Sequence, residues 1–173
     1  MEQGITYRLK ACGVLADEHR VVKRKIAELG PALRTGSPDD AFAKGLSGLV
    51  RALEKELPPH FAKEEEALFP VMESVTGRGF PPIEVMKAEH RFLIDHFGGV
   101  REASQGLAAH PGAADVRAKA VKHLLPLVST LEDHIVKEDT MLLVMASDQL
   151  EAQHDTKILR VFDEIDREGR RWH

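Results

Sequence analysis

Four stretches of this chain carry apolar residues at alternating three- and four-residue spacing, and one histidine interrupts each stripe. In about residues 5–29, Ile5, Leu9, Cys12 and Leu15 lead to His19, then Val22, Ile26 and Leu29. In about 40–75, Leu46, Leu49, Leu53 and Leu57 run through His60 and Glu64 to Leu68 and Val71. In about 83–108, Ile83 and Met86 precede His90, and Leu93, Phe97 and Val100 follow it. In about 113–146, Val116, Ala120, Leu124, Leu127 and Leu131 lead to His134 and Glu138, then Met141 and Met145. This spacing follows the helical period, so each stripe is the inward face of one helix. Alternating patterns are absent and β-branched residues are dispersed, so nothing reads as a strand. The class is all-α: four such helices joined by fairly short loops pack as an up-down-up-down four-helix bundle.

Breaks fall where glycine and proline cluster. Gly30-Pro31 ends the first stretch and a polar loop over 34–39 follows. Pro58-Pro59 is expected to interrupt the second helix, Gly98-Gly99 weakens the third, and Pro126 lies inside the fourth. Ser147 is expected to N-cap an additional C-terminal helix over about 148–168. Its apolar residues Leu150, Ile158, Leu159, Val161, Phe162 and Ile165 pack on the bundle or form a subunit contact, which leaves a homodimer or protein partner open. With 173 residues the chain is read as a single domain, 1–173, with its bundle at about 5–146.

Net charge is −4, and no long basic block stands outside the short tail Arg167 to Arg171. A nucleic-acid partner is therefore not expected, because such proteins carry a basic face or stripe. No stretch reaches the roughly 18 apolar residues of a membrane span. The opening residues have no apolar leader core, so a cytoplasmic location is expected. Cys12, the only cysteine, falls among apolar residues and reads as a small core side chain, which excludes cysteine-built metal sites.

The histidines are the anomaly. Burying an unpaired ionisable group costs several kcal/mol, on the order of what a whole core leucine contributes, so such groups are compensated. One inward histidine is ordinarily a satisfied core residue; four of them, one per helix, with two carboxylates on the same faces, read as a metal site. Residues i and i+4 project together from a helix, so His60 with Glu64 and His134 with Glu138 each present an imidazole and a carboxylate to the bundle axis. An internal repeat supports this. Glu18-His19-Arg20 matches Glu89-His90-Arg91, and His60-Phe61-Ala62-Lys63-Glu64-Glu65 matches His134-Ile135-Val136-Lys137-Glu138-Asp139. Two helix pairs related by a pseudo-two-fold axis set two metal positions side by side. One takes His19 and His60, the other His90 and His134, with Glu64 and Glu138 between them.

The motifs Asp17-Glu18-His19, His60 with Glu64 followed by Leu68-Phe69-Pro70, Glu89-His90, and His134 with Glu138 resemble the hemerythrin-like (HHE cation-binding) family. The resemblance covers the four bundle helices. It implies a centre of two non-haem iron ions with carboxylate and oxo or hydroxo bridges, and reactivity towards small molecules such as O2, NO or peroxide. Zinc and manganese also suit imidazole and carboxylate, and rank behind iron. Oxygen-carrying members have a fifth histidine one turn after the third-helix ligand, where this chain has Ile94. His96 lies about 120° around the helix from His90 and does not replace it. Four histidines and two carboxylates resemble instead the bacterial iron-centre repair proteins and the iron-sensing members. The resemblance implies a protein that binds, senses or handles O2, NO or iron. The alternative is a di-iron redox enzyme: a peroxidase, an oxidase or an iron–sulfur-centre repair factor. Glu138 is preferred over Asp139 as the fourth-helix bridge because it repeats Glu64.

Other residues are set aside. His154 in Glu151-Ala152-Gln153-His154 lacks the companion motifs of ferritin-like sites and reads as exposed or packing. His123 is too far along its helix to share the site; His110 and His173 lie in a loop and at the terminus. Tyr7, read on the same helix as His19, stands about 18 Å up it. Met141 and Met145 read as core. Glu65 and Glu89 are candidates to bind the outer N–H groups of the imidazoles.

Overall fold

A computed structural model describes residues 5–34 and 37–170. The opening residues 1–4, Thr35 and Gly36 of the first loop, and residues 171–173, Arg171 and His173 among them, lie outside the described residues.

The apolar stripes become four rods. The first is α1 (Lys10–Leu29), which runs into a 3-10 turn (Gly30–Leu33). The second consists of α2 (Asp39–Lys63), a π-helical turn (Glu64–Leu68) and α3 (Phe69–Thr76). Helix α4 (Pro81–Ala109) is the third. The fourth repeats the second: α5 (Ala114–Lys137), a π-helical turn (Glu138–Leu142) and α6 (Leu143–Gln149). Helix α7 (Ala152–Glu168) follows. The described residues form helices and no strand, and neighbouring rods pack in the order α1, α2, α4, α5, closing back on α1. That is the expected up-down-up-down bundle. The additional helix α7 lies on its own bundle, against α1, α2 and the first π turn, with Ile158, Phe162 and Ile165 buried.

The core is in two parts. One holds Val22 of α1, Phe42 to Phe61 along α2, Leu93 to Leu107 of α4 and Ala120 to Ile135 of α5. The other holds Leu9 to Ala16, Ala67 to Met72, Ile83 and Met86, Leu142 to Leu150, and Ile158 and Phe162 of α7. Between them, on every rod, lies the histidine level.

Several expected boundaries move. Helix α1 begins at Lys10, not near Ile5, which is exposed. Distant partners hold the preceding chain: the Arg8 backbone N–H donates to Ser147 Oγ at 2.6 Å, and its guanidinium donates to the carbonyls of Ser147 and Leu150. Ser147 is thereby committed, buried in α6 rather than capping α7. Helix α7 starts instead after Glu151, in a capping box closed by His154, whose Nδ1 accepts the Glu151 backbone N–H at 3.0 Å. Asp155 of α7 in turn accepts the N–H groups of Lys10 and Ala11, giving α1 the N-terminal carboxylate its own sequence lacks. Helix α2 runs through Pro58-Pro59 without ending. Leu53, Leu57, Pro58 and Phe61 are buried on both sides of the break, and that packing outweighs the hydrogen bonds the prolines remove. At Gly99 of α4 an added Cβ would meet the His123 ring at 2.5 Å, so the glycine sets how closely α5 approaches.

Candidate metal centre

All six residues singled out from the sequence meet in one layer. His19, His60, His90, His134, Glu64 and Glu138 are each at most 3% exposed. They converge on two points. His19, His60, Glu64 and Glu138 offer ligand atoms to one, and Glu64, His90 and His134 to the other. His19 Nε2 and His60 Nε2 stand 3.0 Å apart, facing the same point.

The carboxylates lie between the halves. Glu64 Oε1 is 3.1 Å from His60 Nε2, and its other oxygen is 3.1 Å from His90 Nε2. Glu138 Oε2 lies 3.0 Å from His19 Nε2 and 3.6 Å from His134 Nε2. Each carboxylate thus spans one imidazole from each half of the repeat. These approaches are short but not aligned as hydrogen bonds. Both oxygens of Glu64, both of Glu138, and Nε2 of His90 and His134 are buried with no hydrogen-bond partner. Buried polar atoms are almost always paired, so a cluster of lone pairs facing one space fits a cation.

The outer nitrogens are all paired. His19 Nδ1 is 2.8 Å from Asp139 Oδ1, and His60 Nδ1 is 2.8 Å from Glu18 Oε2. His90 Nδ1 is 2.6 Å from Glu65 Oε1, and His134 Nδ1 is 3.0 Å from Glu89 Oε2. With Nδ1–H donating outward, each ring keeps its Nε2 lone pair for the interior. The pattern obeys the repeat. The acidic residue before each first histidine serves the second histidine of that half, and the one after each inner glutamate serves the first histidine of the other half. Lys63 and Lys137, each preceding an inner glutamate, donate to Glu18 and Glu89.

The π turns make this possible. An extra residue per turn lets Glu64 and Glu138 face the interior while Glu65 and Asp139 reach outward to imidazoles of neighbouring helices. The same extra residue rotates Met141 to the surface and brings Leu142 inside, so the expected core role of Met141 does not hold. Ile94 is also exposed, so the position of the carriers' fifth histidine lies off the inner layer. Phe61 stacks on His90, with ring centroids 4.0 Å apart.

Electrostatics follow the geometry. Burial opposes charge on His60, but Glu64 and Glu18 outweigh it and hold its pKa well above the ordinary value. His90 is likewise opposed by burial yet raised to about 9 by Glu64 and Glu65. Burial would raise Glu64, but His60 and His90 hold its carboxyl well below the usual range. Without a cation the layer therefore favours imidazolium paired with carboxylate.

Sequence reasoning anticipated Glu65 and Glu89 as outer partners, but not Glu18, Asp139 or the two lysines. Their signal was the repeat itself, in which Glu18 and Lys63 recur as Glu89 and Lys137. Tyr7 was misplaced: it precedes α1, and its hydroxyl donates to the Asp139 carbonyl at 2.8 Å, beside the site. His154 belongs to the α7 cap, and His123 packs by Gly99 and His96, outside the layer.

Comparison with known proteins agrees with this layout. The chain is 28% identical over 138 residues to the iron-sulfur cluster repair protein DnrN of Neisseria gonorrhoeae, covering 78% of this chain and 88% of that protein. It is 30% identical to the iron-sulfur cluster repair protein YtfE of Edwardsiella ictaluri, over 65% of this chain and 49% of that one. For the protein of the same name from Salmonella paratyphi B the identity is 29%, over 60% and 47%. The chain thus spans about half the length of the YtfE relatives it matches. No solved structure is significantly similar to it. The hemerythrin HHE cation binding domain matches residues 13–146, a span that holds every inner histidine and glutamate and all four outer carboxylates, and the chain belongs to that family.

Proposed function

We propose that this chain is a non-haem di-iron protein that binds, senses or handles O2, NO or iron at a carboxylate-bridged centre. His19 and His60 hold one metal, His90 and His134 the other, and Glu64 and Glu138 link the two. The observation that carries this reading is the set of buried, unpartnered Nε2 and Oε atoms facing inward while every Nδ1 is tied to a carboxylate.

Charge favours cations in this layer. Among the described residues Glu18, Glu64, Glu65, Glu89, Glu138, Asp139 and Asp166 outnumber Lys63 and Lys137. Bound divalent cations would offset the carboxylate excess that the imidazoles otherwise take up as protons. When bound, iron supplies redox chemistry and a Lewis-acid site for small ligands. The chain's own residues fix its surroundings. The outer carboxylates orient the rings and raise their basicity, and the layer's burial keeps bulk water away.

A second reading is a redox or repair role. The names of the relatives favour an iron–sulfur cluster repair factor, for which the same centre would store or deliver iron. The proposal covers the whole chain as one domain, with α7 part of it. It includes a cytoplasmic location, in keeping with a buried free thiol at Cys12 and no helix among the described residues apolar enough to cross a membrane. Glu64→Ala combined with Glu138→Ala tests the bridging role. The variant should stay helical and lose most bound iron; iron retained at wild-type stoichiometry would refute it.

A further inference from the structure

The two halves of the site are related by the repeat but are not held alike. Lys63 is 3% exposed and has three partners: Glu18 Oε1 at 2.5 Å, Asp166 Oδ1 at 2.7 Å, and the face of Phe162, 5.6 Å from its centroid. Asp166 and Phe162 both belong to α7. Its counterpart Lys137 is more than a third exposed and pairs with Glu89. A chain of contacts therefore runs Asp166, Lys63, Glu18, His60, whereas Lys137 and Glu89 make no ion pair with α7 among the described residues. The far end of α7 is anchored to the same half, through Asp155 at the start of α1, the helix that carries Glu18 and His19.

A lysine fixed on three sides cannot swing away from Glu18, and Glu18 so fixed holds the His60 ring at one tilt. On the two-metal reading above, we propose that α7 is a positioning element for one metal. Asp166 and Phe162 clamp Lys63, so the position on His19 and His60 keeps its iron longer than the position on His90 and His134. Asp166 is a positioning residue, acting on the metal through Lys63 and Glu18. Iron delivery or exchange would begin from the His90/His134 side.

The test is iron release from the loaded full chain to a coloured ferrous chelator, followed with time. Wild type should release two irons in two phases. Glu18→Gln and Glu89→Gln assign them, each accelerating the phase of the half it serves. Asp166→Asn should accelerate only the slow His19/His60 phase, on the order of fivefold. That is less than the ten- to hundredfold typical when a group touching the imidazole is removed. Asp166→Glu should restore the slow phase, and Asp163→Asn, an exposed change on the same helix, should leave both phases alone. Thermal unfolding of the metal-free Asp166→Asn protein close to wild type would show that the effect is not general loosening. Two irons with equal acceleration of both phases, or none, would overturn the clamp while leaving the two-metal centre standing. Fewer than two irons in wild type would overturn both.

Discussion

Asp139 lies on the outer side of His19, its Oδ1 2.8 Å from Nδ1, while its neighbour Glu138 approaches the inner Nε2 of the same ring at 3.0 Å. Adjacent carboxylates on one π turn thus face one imidazole from opposite edges, Asp139 as its hydrogen-bond partner and Glu138 across the interior. Two substitutions separate the roles proposed for them. Glu138→Ala should strip iron from the site. Asp139→Asn should keep two sites that fill at saturation, with affinity lowered about 10- to 100-fold. Chelator competition measures both, and the reverse ranking would exchange the two roles.

The metal-free protein should lose stability as the solution becomes alkaline. Burial disfavours a charged His90, but Glu64 and Glu65 raise its pKa from 6.5 to about 9. A raised histidine contributes its full stability below the unfolded-state pKa and loses it as the pH climbs through the folded value. His60 and His19 are shifted the same way. Thermal midpoints of chelator-treated protein should therefore fall between pH 6.5 and pH 9. The opposite acid limb comes from Glu64, whose depressed pKa makes its contribution vanish at strongly acidic pH. A flat midpoint from pH 6.5 to 9 would mean that these imidazoles stay neutral.

Tyr7→Phe removes the hydroxyl that donates to the Asp139 carbonyl. One such hydrogen bond contributes about 0.5–1.5 kcal/mol. For a chain of this size the melting temperature should drop by roughly 1–6 °C. Iron stoichiometry should remain unchanged, since the Tyr7 hydroxyl is committed to the Asp139 backbone carbonyl. Loss of iron in this variant would place the residue in the site itself.

His154→Ala should leave metal content untouched and weaken only the start of α7, where the ring accepts the Glu151 N–H. The expected cost is about 0.5–2 kcal/mol, that of a lost cap. Loss of iron would instead give this ring a part in the centre.

Much of this molecule was legible in the amino-acid order because a buried histidine in an apolar stripe is costly, and four at one level have few explanations. The stripes gave the bundle, and the repeat of His60 with Glu64 in His134 with Glu138 paired the halves. What escaped depends on chain segments far apart in sequence. Arg8 and Ser147 redraw the ends of α1 and α7 by bonding to each other, and no local signal announces that. Pro58-Pro59 is a breaker by propensity, overruled by packing on both sides. The π turns shift the helical phase by one residue, which is why Met141 is outside and Leu142 inside. Glu18 serves His60 rather than its neighbour His19, a cross-helix choice made only once α1 and α2 have docked.

The most direct measurement is elemental analysis of freshly purified protein together with its ultraviolet–visible spectrum, before and after exposure to air. A di-iron centre on these six residues requires two irons per chain and iron charge-transfer absorption that changes on exposure. A chain that takes up no metal, even after anaerobic ferrous loading, would contradict it and leave the four histidines as a purely structural layer.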